Sequence, residues 1–476
     1  MARSSWKLWL ALIVVPALLV VAAVSYLAWR QSVPGVRAEL APPPRFVGLK
    51  TPLSLALSAA RGGVQSAEIR ITQGQGRAVV ASQVFSGGAN LQRLELTVEG
   101  KSLGLREGAA TLEVSARDGF WRPLRLEDRP VLSVPVTLDF TPPSLDVLAH
   151  TRYLAQGGGG LVAFRVKGAS RVGVNVGGLF LPAYPAGPPE SGLLAALIAL
   201  PWDFPTASPV SVVAQDEAGN AVSRPVAAEI KPRRFPSDTI ELKDEFLARK
   251  LPELLPGRGA IPPDQVVPAF LTVNRDQRRA AEQTKRQIAT RTQPRPLWEG
   301  AFVQPRNTKV FSNFAETRAY RYAGKDIDTQ VHMGYDLASV KHSPVPAANS
   351  GVVVFAGPLT IYGNAVVVDH GLGLQTLYAH LSSIAVKEGA EVRKGHELGR
   401  TGSSGLAVGD HLHYEVLIHG ISVTPLEWWD AKWIRDHIGQ PLREAGVALL
   451  QSEQPAGPAE APAAAPARPR RSARTR

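Results

Sequence analysis

The 476-residue sequence contains no cysteine. Disulfide bridges and thiolate metal sites are thereby excluded, and any bound metal must rest on histidine, aspartate or glutamate; the compartment is left open. A second absence is local: residues 8–29 run for 22 positions without a charged side chain. As a helix this run would extend roughly 33 Å, against a hydrocarbon core of about 30 Å, so it can cross a bilayer once. Trp6, Trp9, Tyr26 and Trp29 bracket it as interfacial aromatics do. At the other end, residues 451–476 lack large apolar side chains and cannot bury a core.

Composition shifts divide the rest. Residues 1–30 are expected to be a retained N-terminal transmembrane anchor; a cleaved signal, with Ala23 and Ser25 before Tyr26, is the alternative. Basic residues flank the run on both sides (Arg3 and Lys7, then Arg30, Arg37, Arg45 and Lys50), so charge alone does not orient it. From 41 to 231 the pattern is that of strands. TLEVSARD sets Leu112, Val114 and Ala116 against Glu113, Ser115 and Arg117, and LSLALS, AEIRIT and RVGVNV alternate alike. Two tandem immunoglobulin-like β-sandwich modules are expected, at 41–140 and 141–231, the second resembling bacterial envelope repeats that end in AxDxxGN. Residues 237–293 form a helical linker. Its second helix, in QRRAAEQTKRQIA, is so charged that a solvated helix is expected, with a partner-binding surface or a lid over a cleft as alternatives. The tail at 451–476 reads as a disordered basic arm, its five arginines between Arg468 and Arg476 supplying much of the formal charge of +12. A solvated tail without a specific partner is expected; as the alternative, since no nucleic-acid fold accompanies it, acidic envelope polymers or lipid surfaces are preferred over nucleic acid.

Nine of the ten histidines lie between His332 and His437. His332 and Asp336 form HxxxD in VHMGYDLAS, His380 closes LYAHL, and His411 and His413 form HxH in GDHLHYEV. Residues two apart in a strand share a face, so His411 and His413 can enter one site. HxxxD brings its ends together across one bend, which Gly334 permits. A carboxylate with two imidazoles suits zinc or a similar divalent ion. His342, His370, His396, His419 and His437 fall outside the pattern and are expected to be structural or solvated. Tyr378, two residues before His380, would share its face and add a donor, or else simply pack.

Taken in order, HMGYDLA, SPVPAANSGVVVFAG, YGNAVVVDHG, TLYAHL, VKEGAEVRKGHELGRTGSSG, GDHLHYEV and SVTPLEWWD resemble the LytM and lysostaphin-type zinc metallopeptidases, which cut peptide bonds of bacterial peptidoglycan. The resemblance runs from about residue 302 to residue 429. It implies that His332, Asp336 and His413 bind one Zn2+ and that His380 and His411 are the catalytic pair, zinc polarising the scissile carbonyl while an imidazole takes a proton or steadies the oxyanion. Three departures stand out: Ala315 where the family usually has glycine, Asp410 where proline usually precedes HLH, and Pro346 where an aromatic is common. VKEGAEVRKGHELG also resembles the hammerhead of biotinyl carriers, but no lysine hairpin follows, and Gly389 and Gly395 fit turns between antiparallel strands.

The expected fold is mainly β: the anchor helix, two immunoglobulin-like modules, the short helical linker and a C-terminal antiparallel β-sheet peptidase domain at 297–440. The resemblance implies a membrane-anchored zinc metalloendopeptidase of cell-wall remodelling, in the inner membrane by a single pass with its bulk in the periplasm or outside the cell. Its partners would be peptidoglycan, the membrane, and an envelope protein bound through the β modules or the linker. The alternative is a non-catalytic regulator that activates another wall hydrolase.

Overall fold

The computed structural model describes residues 5–124, 129–257 and 259–447, so the tail expected to be a basic arm lies outside the described residues. The described chain is mainly β, with an apolar N-terminal helix and a few shorter helices. It divides into two compact units: Met1–Leu148, Ala163–Ala196 and Ala207–Ala228 form the first, and Ala149–Val162, Leu197–Thr206 and Glu229–Arg476 the second.

In the first unit the helix Ser5–Ser32 exposes Leu18, Leu19, Val20 and Val21. Its stretch Leu12–Ser32 is long and apolar enough to cross a membrane. Next comes a three-stranded sheet (Arg37–Leu40, Lys50–Ser58, Leu91–Glu99) and a five-stranded one in the order Phe46–Val47, Leu132–Leu138, Gly108–Asp118, Val64–Gln73, Gly76–Val84. They share a core in which Leu53, Leu55 and Leu57 of the first sheet meet Ile69, Ile71, Leu112 and Val114 of the second. Each such buried side chain contributes about 1.5–3 kcal/mol relative to exposure, and the two-residue period of the strands aims them all inward.

The AxDxxGN motif has a physical role in this unit. It closes the hairpin between Val210–Gln215 and Ala221–Pro225. The Asp216 carboxylate accepts from Asn220 N at 2.8 Å and from Asn220 Nδ2 at 2.9 Å. Asn220 in turn accepts from Leu49 N at 2.6 Å and donates to the Asp139 carbonyl at 2.9 Å, fastening this hairpin to the preceding sheets.

The second unit is built on an antiparallel sheet in the order Lys309–Ser312, Tyr335–Ala338, Leu412–Ile418, Leu374–Leu381, Asn364–Gly371, Gly351–Pro358, Glu391–Val392, with Ile421–Val423 added to Leu412–Ile418. Beside it, Ser237–Glu241 pairs in parallel with Glu316–Tyr322, which is hairpinned to Lys325–His332. The helices Asp244–Leu254, Val266–Leu271 and Arg278–Ala289 join the sheet's core through Leu247, Leu251, Phe270, Ala281 and Ile288. The helix Arg278–Ala289 is therefore not the solvated one expected. Ala281, Lys285 and Ile288, spaced four and three apart, lie on one buried face. The charge density of this segment concealed that face, because one of its members is a lysine.

Candidate metal centre

Three strands bring the HxxxD and HxH residues together. His332 ends Lys325–His332, Asp336 lies in Tyr335–Ala338, and Asp336 stands opposite His413 in the antiparallel pairing with Leu412–Ile418. Gly334 stands at the bend between these two strands, as expected, and it is also required for space: a Cβ there would meet the Tyr414 carbonyl at 2.6 Å and His413 Cε1 at 2.8 Å. Ala315, where the resembling family usually has glycine, has a φ of 57° and donates its N–H to the His332 carbonyl at 2.7 Å. The left-handed backbone explains why glycine is usual at that point, since an L side chain held there costs roughly 1–2 kcal/mol.

His332, Asp336 and His413 form a group that can hold a metal ion. His332 Nε2 is 2.9 Å from His413 Nδ1, and each of these nitrogens is 3.0 Å from Asp336 Oδ1. The outer partners decide where the ring protons sit. His332 Nδ1 faces the Asn313 carbonyl at 2.9 Å, and His413 Nε2 faces Glu415 Oε1 at 2.9 Å. Both partners accept only, so the outer nitrogens carry protons, and in the neutral form of each ring the inner nitrogen is bare toward its neighbour and toward a carboxylate oxygen. Three acceptors converging without a donor call for a cation between them, and outer hydrogen bonds of this kind are what orient metal-binding imidazoles.

Two further imidazoles line the same cleft, whose volume is about 310 Å³. His411 Nε2 lies 3.5 Å from Asp336 Oδ1, its Nδ1 donating to the Gly409 carbonyl at 2.8 Å. His380 donates from Nδ1 to the Ser404 carbonyl at 2.8 Å, and its ring centroid is 4.8 Å from that of His411. His380 sits in a bulge of Leu374–Leu381 with a φ of 61°. That bulge breaks the two-residue phase, so Tyr378 does not line the cleft and adds no donor there. Its hydroxyl instead accepts from Ala348 N at 2.7 Å, and its ring packs on Tyr414.

Electrostatics follow from burial and charge. Burial presses the His380 pKa well below the usual range, and the neighbouring His411 and His413 press it further. Burial also lowers that of His332, against the pull of Asp336. For His413 burial acts downward too, but the carboxylates of Asp336 and Glu415 outweigh it and the pKa rises, so a cation is favoured beside Nδ1. Burial would raise that of Asp336, yet the surrounding His332, His411 and His413 outweigh it and hold the pKa well below the carboxylate range.

The remaining histidines take structural or surface places. His370 joins the Ser350 carbonyl and Thr376 Oγ1, both at 2.8 Å, His437 stacks on Trp433, and His342 and His396 are exposed. Asp410 lines the cleft with its carboxylate engaged, accepting from Thr401 Oγ1 at 2.7 Å and His342 N at 3.2 Å. Sequence reasoning missed Arg318, Glu415 and Lys285. Glu415 carried a signal, since it is two residues beyond His413 on the same strand face; the other two carried none.

A carboxylate and an imidazole on the large antiparallel sheet, a second imidazole on the sheet beside it and two more imidazoles in the same cleft make up the candidate centre. Residues 330–425 are a domain of peptidase family M23, whose model they match. The chain is 45% identical over 97 residues to the DD-carboxypeptidase/endopeptidase Mpg of Neisseria meningitidis, covering 20% of this chain and 22% of that protein. It is 35% identical over 119 residues to the peptidoglycan DD-endopeptidase ShyA of Vibrio cholerae, covering 25% and 27%. The chain thus spans about a quarter of the length of these relatives. Among solved structures, the lysostaphin catalytic domain of Staphylococcus simulans matches with 26% identity over 26% of this chain and 92% of that one, at a TM-score of 0.22.

Proposed function

We propose that this chain is a membrane-anchored zinc metalloendopeptidase that hydrolyses peptide bonds of bacterial peptidoglycan during cell-wall remodelling. The observation that carries the proposal is the convergence of two imidazole nitrogens and one carboxylate oxygen within 3.0 Å of one another. Two nitrogens and one oxygen are a donor set that zinc takes in catalytic sites, where the fourth position is left open. His332, Asp336 and His413 would hold the ion. When bound, zinc supplies Lewis acidity, which polarises a peptide carbonyl and makes water a nucleophile near neutral pH.

His380 and His411 are the proposed catalytic pair. Each commits Nδ1 to a backbone carbonyl, which leaves Nε2 for the cleft. There one imidazole takes the proton of the attacking water while the other, protonated, hydrogen bonds the oxygen on which negative charge develops. A regulator that only docks another hydrolase has no use for five such groups in one cleft.

The names of the relatives support a wall substrate and favour a cross-link between D-configured centres. The apolar helix supports a single-pass anchor in the inner membrane, and such a substrate puts the body of the chain in the periplasm or outside the cell. The sheets within 41–140 and 141–231 are read as immunoglobulin-like modules, which together with the helices of 237–293 offer surfaces for an envelope protein.

The test is digestion of purified peptidoglycan by the full chain, with zinc loaded or stripped, and mass spectrometry of the released peptides. Zinc-loaded protein should release them. Stripped protein and Asp336→Ala should not, and the variant should bind less than a tenth of the wild-type zinc. No release by zinc-loaded wild type would turn the reading toward the regulator.

A further inference from the structure

One fully buried charge near the centre belongs to a residue outside the family-matched segment 330–425. Lys285 has no exposed side-chain surface. Its ammonium lies 2.8 Å from Glu415 Oε2, 2.8 Å from Glu282 Oε1 and 3.1 Å from the Tyr362 hydroxyl. Glu415, also fully buried, is saturated by these neighbours. Oε1 accepts from Tyr362 OH at 2.6 Å and His413 Nε2 at 2.9 Å, and Oε2 accepts from Lys285 and from Ser422 Oγ at 2.7 Å.

We propose that Lys285 is a positioning residue of the metal centre, acting through Glu415 on His413; the inference rests on the reading of His332, Asp336 and His413 as the metal ligands. A carboxylate this deeply buried keeps one place only when all its lone pairs are met, and an unpaired one is destabilised by several kcal/mol. With Lys285 in place, Oε1 is fixed where it receives the His413 Nε2–H and turns Nδ1 toward Asp336 and His332. Without it, the carboxylate has lost the ammonium that pairs Oε2 and is free to shift, and the imidazole shifts with it.

The helix is held firmly enough for the task. A Cβ on Gly420 would meet Arg286 Cα at 3.0 Å and Ala289 Cβ at 3.2 Å, so Arg278–Ala289 rests directly on the turn that follows Leu412–Ile418. Outer groups that orient metal ligands typically change metal affinity by about 10–100-fold when lost. The segment 237–293 therefore does more than link: it finishes a centre whose ligands lie in 330–425.

The experiment uses the full chain and measures zinc affinity by chelator competition and the visible spectrum of the Co(II)-substituted protein, with thermal unfolding as the check on folding. Lys285→Met should weaken zinc binding by 10-fold or more and alter the cobalt spectrum, and Lys285→Arg should recover part of both. Folded Lys285→Met with wild-type affinity and spectrum would overturn the proposal. Because a lone buried Glu415 endangers folding, Glu415→Gln is compared with Lys285→Met/Glu415→Gln, in which both charges are gone. Equal affinities in these two place the action of Lys285 in Glu415, whereas a further loss in the double variant overturns that route. Should wild type bind no metal at all, both this inference and the metallopeptidase reading fall; should His413→Ala lose metal while Lys285→Met keeps it, only this inference does.

Discussion

Arg318 Nη2 lies 2.8 Å from Asp336 Oδ2, so the carboxylate oxygen turned away from His332 and His413 is occupied by a guanidinium. The same arginine donates from Nε to Glu316 Oε1 at 3.0 Å. Spanning two carboxylates in a fixed fork is a geometry lysine cannot reproduce. The pairing holds Asp336 to one inward oxygen. Arg318→Ala and Arg318→Lys should both weaken metal binding, by about tenfold or more for alanine, with the fold retained. Chelator competition checks this, and an unchanged affinity in Arg318→Ala would assign the arginine to stability alone.

Motif spacing made the group that can hold a metal legible, because HxxxD and HxH each encode a local geometry that brings His332, Asp336 and His413 together. Leu412–Ile418 has the strand period that puts His411 and His413 into one cleft, and Asp336 lies directly across from His413. Two kinds of feature were hidden. The bulge at His380 removes Tyr378 from the cleft, and nothing in LYAHL marks a bulge. Lys285 and Arg318 reach the centre through tertiary contacts 130 and 18 residues distant along the chain from Glu415 and Asp336, and local pattern carries no trace of such pairings. In the first unit the alternation of TLEVSARD was legible because one sheet face is buried, so Leu112 and Val114 had to point inward.

His370 predicts an acid dependence. Burial lowers its pKa from 6.5 to about 4. The folded value lies below the unfolded one, so between those pH values the unfolded chain binds more protons and stability falls as the pH drops. The stabilisation is fully present above pH 6.5 and lost on the way to 4, amounting to about 3 kcal/mol by linkage. His370→Gln keeps an acceptor and a donor but cannot titrate. Urea midpoints at pH 7 and pH 4.5 should therefore move further apart in wild type than in the variant, and equal movement would remove His370 as a source of acid sensitivity.

The proposed anchor predicts an attachment that salt does not weaken. Burial of Leu12–Ser32 in hydrocarbon is not screened by ions, whereas attraction of basic segments to an acidic surface weakens within a Debye length of about 3 Å at 1 M salt. The protein should stay in the membrane fraction through high-salt and carbonate washes, and deletion of residues 1–29 should release it. Release by salt alone, or a mature N-terminus at Tyr26, would refute the anchor.

His380 and His411 should separate metal content from activity. Neither belongs to the triangle of His332, Asp336 and His413, and each ring is tethered through Nδ1 to its own carbonyl, at Ser404 and Gly409. Replacing either by alanine leaves the three ligand atoms and their outer partners in place, so zinc should remain bound. What disappears is proton transfer or the hydrogen bond to the developing oxyanion, each worth on the order of a hundredfold or more in rate. The two effects do not add independently if the imidazoles act on one transition state, so the double variant should be little slower than the worse single one. Wall-peptide release and zinc content measured on the same preparations decide the matter. Variants that keep zinc and digest at the wild-type rate would remove both residues from the chemistry, and variants that lose zinc would move them into the ligand set.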